Sequence, residues 1–294
     1  MHEFTDLIAH LQQQSGQNLQ GCRLQAIDGG DISTAYRLQN ASVDWFIKLN
    51  TAARQDMFAA EAASLQALAE CGCIRVPKVI AFGSFHQHAY LLLDYIELRG
   101  LSNNGASTLG RQLAALHAQP QAYFGWQRDN TIGLTPQTNP RYHDWPSFWR
   151  EQRLGKQLQL AAANGYHGKL QDLGARLSAE LNAFFSNYQP QASLLHGDLW
   201  GGNAALDANG LPVIFDPACY YGDRETDLAM TELFGGFNRE FYAAYQAEFG
   251  LDNGYKARKD LYNLYHILNH LNLFGGGYAA QAQNMMMRLL AELG

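Results

Sequence analysis

At 294 residues, 47% of them hydrophobic and 16% charged, the chain is long enough for two lobes around a sizeable core and has the composition of a soluble globular protein. A net charge of -6 without any block of lysine or arginine argues against nucleic-acid binding, which depends on clustered cations. Apolar runs such as residues 89–93 fall far short of the ~20 residues of a membrane span, and residues 1–6 lack the basic-then-apolar order of a secretory signal. The four cysteines, Cys22, Cys71, Cys73 and Cys219, form neither a zinc-type C-x2-C pair nor a disulfide frame, so the cytoplasm is the expected compartment. Cys71-Gly72-Cys73 reads as an inert pair beside a helix end rather than a redox pair.

Phe4, Leu7, Ile8 and Leu11 fall on one helical face and predict a short amphipathic helix. Between about residues 24 and 49 the pattern turns to β, with strands at 35–38 and 43–49 joined by a polar turn. Ahead of the first of these strands stands Asp28-Gly29-Gly30-Asp31-Ile32-Ser33-Thr34. It is not a full G-x-G-x-x-G fingerprint. Even so, Gly29 and Gly30 can bring backbone amides close to phosphates, and Ser33 and Thr34 add hydroxyl donors; an ordinary turn is the competing reading.

Lys48, near the end of an apolar strand, holds the place of the kinase V-A-I-K lysine that contacts the α- and β-phosphates. Its partner should be a glutamate on the next helix, and residues 57–69 supply Glu61 among apolar neighbours. Residues 76–80 and 89–95 read as further strands closing a five-stranded lobe. Asp94, Tyr95, Ile96 and Glu97 then form the expected hinge, whose backbone would pair with adenine; position alone assigns it. His86 and His88 lack a third ligand nearby and read as a solvated turn.

Beyond residue 106 the chain is mainly helical, and His117 is expected to be buried and structural. Residues 123–145 break this pattern, and so long an irregular segment in a compact domain usually binds something. Its aromatic rings beside Asp129, Asn130 and Thr131 suit a polyol; an ordered structural loop fits equally well. Helices at 146–163 and 170–188 follow.

The chemistry is concentrated in Ser193-Leu194-Leu195-His196-Gly197-Asp198-Leu199-Trp200-Gly201-Gly202-Asn203 and Val213-Ile214-Phe215-Asp216-Pro217-Ala218. His196-Gly197-Asp198 with Asn203 keeps the spacing of the kinase loop H-R-D-x-x-x-x-N, with Gly for Arg, and Asp216 follows Asn203 by thirteen residues, where a kinase places its metal-binding aspartate. In phosphoryl transfer one aspartate takes the acceptor's proton while the asparagine and second aspartate hold Mg2+ against the phosphates. That makes Asp198 the candidate base and Asn203 and Asp216 the candidate metal ligands. His196 and Asp227 are expected to be structural, Asp227 by accepting backbone N–H bonds from the loop. Asp223 reads as structural rather than as part of a second metal site. The remainder is helical, with Met285, Met286 and Met287 as core filling.

The stretches around residues 124–134, 194–203 and 214–230 resemble the fructosamine kinase (ketosamine-3-kinase) family, a cousin of the aminoglycoside and choline kinases, and the likeness covers essentially the whole chain. Its most specific parts are H-G-D-L-W-G-G-N, F-D-P-A-C-Y-Y-G-D-R-E-T-D-L-A-M and D-N-T-I-G. Trp200 sets the chain apart from ordinary protein kinases, which usually carry lysine there.

The resemblance implies an α+β, bilobal protein-kinase-like fold: a nucleotide lobe at 1–97 with a five-stranded antiparallel sheet and an αC-type helix, then a larger helical lobe at 98–294. It also implies ATP- and Mg2+-dependent phosphorylation of O3 of a ketosamine, free or on a glycated protein lysine, by a monomer or homodimer. The unstable 3-phosphate would then decompose and release the amine. Trp200 and residues 129–131 would face the sugar. Family members often carry cysteine where Asp31 stands, and the Asp31 carboxylate is expected to point away from the phosphates. An aminoglycoside- or choline-type kinase and a non-catalytic nucleotide-binding module are the competing readings.

Overall fold

The structure, a computed structural model, describes residues 2–27 and 32–293. Helix α1 (His2–Ser15) precedes strands β1 (Arg23–Ile27), β2 (Thr34–Gln39) and β3 (Asp44–Thr51), helix α2 (Gln55–Cys71), and strands β4 (Val79–Phe85) and β5 (His88–Asp94). The five strands form one antiparallel sheet in the order β1-β2-β3-β5-β4. Alternation along β3 decides what each face does. Trp45, Ile47 and Leu49 point into a small core shared with Leu7 and Leu11 of α1, while Phe46 and Lys48 face the opposite side.

The strand expected at 76–80 begins later, at Val79, because Pro77 has no N–H to give a ladder. Helix α2 ends at Gly72, whose φ of 68° lets its N–H cap the Ala69 carbonyl at 3.1 Å. All four cysteines are free, and the Cys71 and Cys73 sulfurs lie 3.1 Å apart. Burial is the main force pushing the Cys71 thiol up to about 12.

The second region opens with α3 (Asn103–His117), capped by Ser102, whose hydroxyl accepts from Gly105 N. The irregular segment contains a small hairpin, β6 (Asn130–Ile132) with β7 (Thr135–Gln137). Then come α4 (Trp145–Phe148), a π-helical stretch (Trp149–Gly155), α5 (Lys156–Ala163) and α6 (Lys169–Glu180). One continuous helix from 146 was expected. The π stretch interrupts it at Arg153, buried under the Tyr220 and Phe148 rings at 4.1 and 4.6 Å. Strand β8 (Ala192–Leu195), strands β9 (Ala204–Leu206) and β10 (Pro212–Ile214), and β11 (Tyr220–Asp223) frame the catalytic stretch. They pair as β8 with β11 and β9 with β10. Helices α7 (Glu225–Leu233), α8 (Arg239–Glu248), α9 (Tyr255–Phe274) and α10 (Tyr278–Glu292) complete the core; Met285 and Met286 are buried and Met287 is exposed. The result is the expected α+β, kinase-like arrangement of sheet and helices. Among the described residues no helix is long and apolar enough to cross a membrane.

Candidate active site

A cleft of about 750 Å³ opens between the sheet and the catalytic stretch, lined by Ser33, Lys48, Glu61, Asp94, Asp198, Trp200, Asn203 and Asp216 among others. Lys48 Nζ sits 2.7 Å from Glu61 Oε1 and 2.7 Å from Asp216 Oδ1. Burial works against its charge, but the two carboxylates outweigh it and hold the Lys48 ammonium above its usual range. The group is a fixed cation at any working pH, suited to meeting phosphate.

The catalytic loop takes its shape from its partners. A Cβ at Gly197, whose φ is 81°, would meet the Ala218 carbonyl oxygen at 2.2 Å, so glycine stands where protein kinases carry arginine. That close approach is matched by the Ala218 N–H, which donates to the His196 carbonyl at 2.9 Å. His196 is buried; its Nδ1 accepts from Asp198 N at 3.3 Å and its Nε2 donates to the Phe215 carbonyl at 3.0 Å. Burial lowers its pKa, and a neutral ring with one donor and one acceptor satisfies both contacts.

Beneath the loop, the Asp227 carboxylate accepts from His196 N at 2.7 Å, Gly197 N at 2.8 Å and His117 Nε2 at 3.2 Å. Burial alone would raise the Asp227 pKa, but these donors hold it below the ordinary carboxylate range. Tyr245 supports His117 in turn, its hydroxyl 2.9 Å from Nδ1. Asp223 turns elsewhere, accepting from the Tyr188 and Tyr262 hydroxyls at 2.9 and 2.5 Å.

Asn203 Nδ2 donates to the Asp198 carbonyl at 2.9 Å and to Asp198 Oδ2 at 3.3 Å, which ties the two side chains together on the cleft wall and leaves the Asn203 side-chain oxygen without a protein donor of its own among the described residues. Burial, with Asp216 and Asp227 close by, pushes the Asp198 carboxyl up to about 7. A carboxylate poised near neutrality is suited to accepting a proton from a hydroxyl.

Asp216 adopts φ 57°, one of only two positive values among the described non-glycine residues. The turn it makes carries the chain from Phe215, whose N–H meets the Asn203 carbonyl at 3.1 Å, to Ala218. Its side chain remains half exposed to the cleft. Asn203 and Asp216 offer the neutral and anionic oxygen donors that Mg2+ takes, and no group of three or more His, Cys, Asp or Glu able to cage a metal occurs among the described residues. Two protein oxygens would leave the rest of a Mg2+ shell to water and phosphate oxygens.

The remaining sequence-derived candidates divide. Asp94, Tyr95 and Ile96 line the cleft; the Asp94 carboxylate accepts from Lys78 N, and Tyr95 is covered by the Arg37 guanidinium at 3.9 Å from its ring. Glu97 does not line it and pairs instead with Arg99 at 3.0 Å on the surface. Asp129 also lies outside the cleft lining, because its carboxylate accepts from Asn139 N at 2.7 Å. Asn130 and Thr131 line the cleft, yet the Asn130 amide is occupied: Nδ2 donates to the Cys219 carbonyl at 2.9 Å, and Oδ1 accepts from Gln137 and Asn139 at 2.8 and 3.0 Å. Ser33 lines the cleft with its hydroxyl 3.1 Å from Asn50 Nδ2. Gly29, Gly30 and Asp31 lie outside the described residues.

Three features had no reading in the sequence. Arg153 anchors the Asn130 loop by donating to Asn139 Oδ1 at 2.7 Å. The Trp200 ring packs on Gly202, where a Cβ would fall 2.2 Å from it. Gly201 abuts Gly236, whose added Cβ would fall 2.6 Å from the Gly201 Cα. The only sequence signals were the Gly201-Gly202 and Gly235-Gly236 pairs themselves.

A sequence model of the fructosamine kinase family matches residues 3–292. The chain belongs to the fructosamine kinase family. Within that family it is 47% identical over 281 residues to a Synechocystis protein named probable ketoamine kinase, covering 95% of this chain and 94% of the relative. It is 40% identical over 274 residues to the chloroplastic protein-ribulosamine 3-kinase of Arabidopsis thaliana, covering 92% and 83%. The crystal structure of a Haemophilus somnus protein assigned to fructosamine-3-kinase superposes with a TM-score of 0.87 at 28% identity, covering 97% of this chain and 96% of that one. An aminoglycoside phosphotransferase in complex with ADP and hygromycin B shares the fold alone, with a TM-score of 0.66, 16% identity and coverage of 97% and 98%.

Proposed function

We propose that this fructosamine kinase family member transfers the γ-phosphoryl group of ATP to the O3 hydroxyl of a ketosamine in the cytoplasm. The acceptor is a sugar adduct on a free amine or a protein lysine, and loss of the unstable 3-phosphate then frees the amine. The observation that carries this reading is the convergence on one cleft of the Lys48–Glu61 pair, Asp198, Asn203 and Asp216 in a chain of this family.

In this reading the adenine lies along the hinge at Asp94–Ile96, and Lys48, freed from Asp216, meets the phosphates. Mg2+, held by Asn203 and Asp216, supplies charge neutralisation of the phosphate oxygens. Asp198 orients the acceptor hydroxyl and takes its proton. Asp227 and His196 fix the backbone on which Asp198 rides, and Trp200 flanks the sugar.

The test is ATP consumption by the purified protein with Mg2+, offered ribuloselysine, fructoselysine, choline and an aminoglycoside in parallel. Turnover confined to ketosamines, with phosphate on O3, is the expected result. Turnover on choline or the aminoglycoside alone would overturn the acceptor assignment, and tight nucleotide binding without any turnover would overturn the enzymatic one.

A further inference from the structure

The turn after Asp216 belongs to no helix or strand until Tyr220, yet it is buried: Ala218 is 5% exposed and Cys219 0%. Buried peptide groups need partners, and all four in these two residues have one. The Ala218 N–H donates to the His196 carbonyl at 2.9 Å. The other three bond side chains. The Cys219 carbonyl accepts from Asn130 Nδ2 at 2.9 Å, the Cys219 N–H donates to Ser64 Oγ at 3.3 Å, and the Ala218 carbonyl accepts from Gln137 Nε2 at 3.4 Å. The Asn130 bond is the shortest of the three.

These side chains come from separate elements and are themselves fixed. Ser64 is buried on α2, one turn beyond Glu61, and its hydroxyl donates to the Ala60 carbonyl at 3.0 Å. Asn130 and Gln137 face each other across the β6–β7 hairpin, with Gln137 Nε2 donating to Asn130 Oδ1 at 2.8 Å. The Tyr265 hydroxyl of α9 holds Gln137 in turn, donating to its Oε1 at 2.7 Å. On the other side of Asp216, the Phe215 N–H and carbonyl are taken by the Asn203 carbonyl and His196 Nε2.

Between these anchors Asp216 has φ 57°, which is unfavourable for a residue with a Cβ and persists only where its surroundings over-determine it. Its carboxylate is half exposed, and among the described residues Lys48 alone bonds it. Once Lys48 turns to phosphate, only the backbone aims that carboxylate.

We propose that Asn130 and Ser64, with Gln137 behind Asn130, are positioning residues for the metal: they hold the Asp216 turn in its left-handed form, so that its carboxylate is set for a divalent cation before one arrives. They act through the backbone of Ala218 and Cys219. Because Ser64 and Glu61 share one face of α2, the same contact fixes Glu61 relative to Asp216, the two carboxylates on Lys48. This role deepens the phosphoryl-transfer reading and rests on its assignment of Asp216 to Mg2+.

The test is the affinity of the protein–ADP complex for Mn2+, read from the paramagnetic resonance signal of the free ion, beside thermal melts. Asn130→Ala should weaken Mn2+ binding about tenfold and Ser64→Ala about threefold, with the affinity for metal-free ADP unchanged. Asp216→Ala should weaken it more than either. Met286→Ala, which opens a cavity in the core at α10, should lower the melting temperature and leave Mn2+ affinity as it is. Should Asn130→Ala not fold, Ser64→Ala decides. Parent-like Mn2+ affinity in both variants while Asp216→Ala is weakened would overturn the positioning role alone, and so would an equal weakening in Met286→Ala. Parent-like affinity in Asp216→Ala would instead remove the metal-ligand assignment on which that role rests.

Discussion

Lys48 and Asp216, 168 residues apart, meet at 2.7 Å across the cleft. The cation proposed to bind phosphate is therefore already paired with one proposed metal ligand, and Glu61 completes the set at 2.7 Å. In the proposed reading, Asp216 would turn to Mg2+ and Lys48 to the phosphates, so this pairing would be exchanged on binding.

Glu61→Gln should therefore fold, because Asp216 still partners Lys48. Its melting temperature should fall by only a few degrees, while kcat/KM for ATP drops about ten- to a hundredfold as Lys48 loses its anchor on α2. Thermal melts and ATP titrations check both parts. A collapse in stability would mean that Glu61 is a folding residue first.

Asp198→Asn should lower kcat by about 10²–10⁴ with little change in nucleotide affinity, the signature of a lost general base. Asp227→Asn acts through the loop backbone, since it weakens acceptance from His196 N and Gly197 N. It should reduce both kcat and melting temperature, a pairing that Asp198→Asn should not show. Steady-state kinetics beside calorimetry separate the two roles.

Gly201→Ala tests the backbone contact behind the catalytic loop. The new methyl would lie 2.8 Å from the Gly236 Cα and 2.9 Å from the Gly235 carbonyl oxygen, both parts of a backbone that cannot rotate away. A stability loss of about 1–3 kcal/mol is expected, with a larger proportional loss of kcat. Denaturant titration and kinetics measure it; an unchanged protein would mean the two loops separate easily.

His266 supplies a pH prediction. Burial first, then His270 and Arg153, push its pKa down to about 3 against the opposing pull of Asp227. A depressed folded-state histidine contributes stability that is present above its unfolded pKa of about 6.5 and lost as pH falls below it. Between pH 7 and 5 this amounts to about 2 kcal/mol. Asp198, raised to about 7, titrates in the same window with the opposite sign, so the total slope mixes the two. The clean readout is a difference: His266→Asn should lose about 2 kcal/mol less than the parent chain over that range.

Much of the site could be read from spacing, because a strand lysine, a helix glutamate and an H-x-D loop each carry local patterns. Alternation in β3 puts Lys48 opposite Trp45 and Ile47, and the helical period sets Glu61 beside buried Phe58 and Ala62. What the pattern could not carry were long-range partnerships. Asp129 and Asn130 look like sugar ligands in sequence, yet their hydrogen bonds go to Asn139 and Gln137 across the β6–β7 hairpin and to the Cys219 carbonyl, the last brought near only by tertiary folding. Glu97 continues the hinge in sequence but turns outward to Arg99. The π stretch at Arg153 has no local signature, since its cause is the ring stack that receives the guanidinium.

The fastening of the catalytic loop to Asp227, and of Asp227 to His117 and Tyr245, bears on how the protein ages under heat. Besides its contacts with the Phe215–Ala218 turn, the loop is held by residues of α3, α7 and α8 deep in the helical core. Local fraying at the surface leaves such an attachment intact. Warming should therefore speed the chemical step in the ordinary way until the core itself gives way, so inactivation and unfolding should occur as a single event.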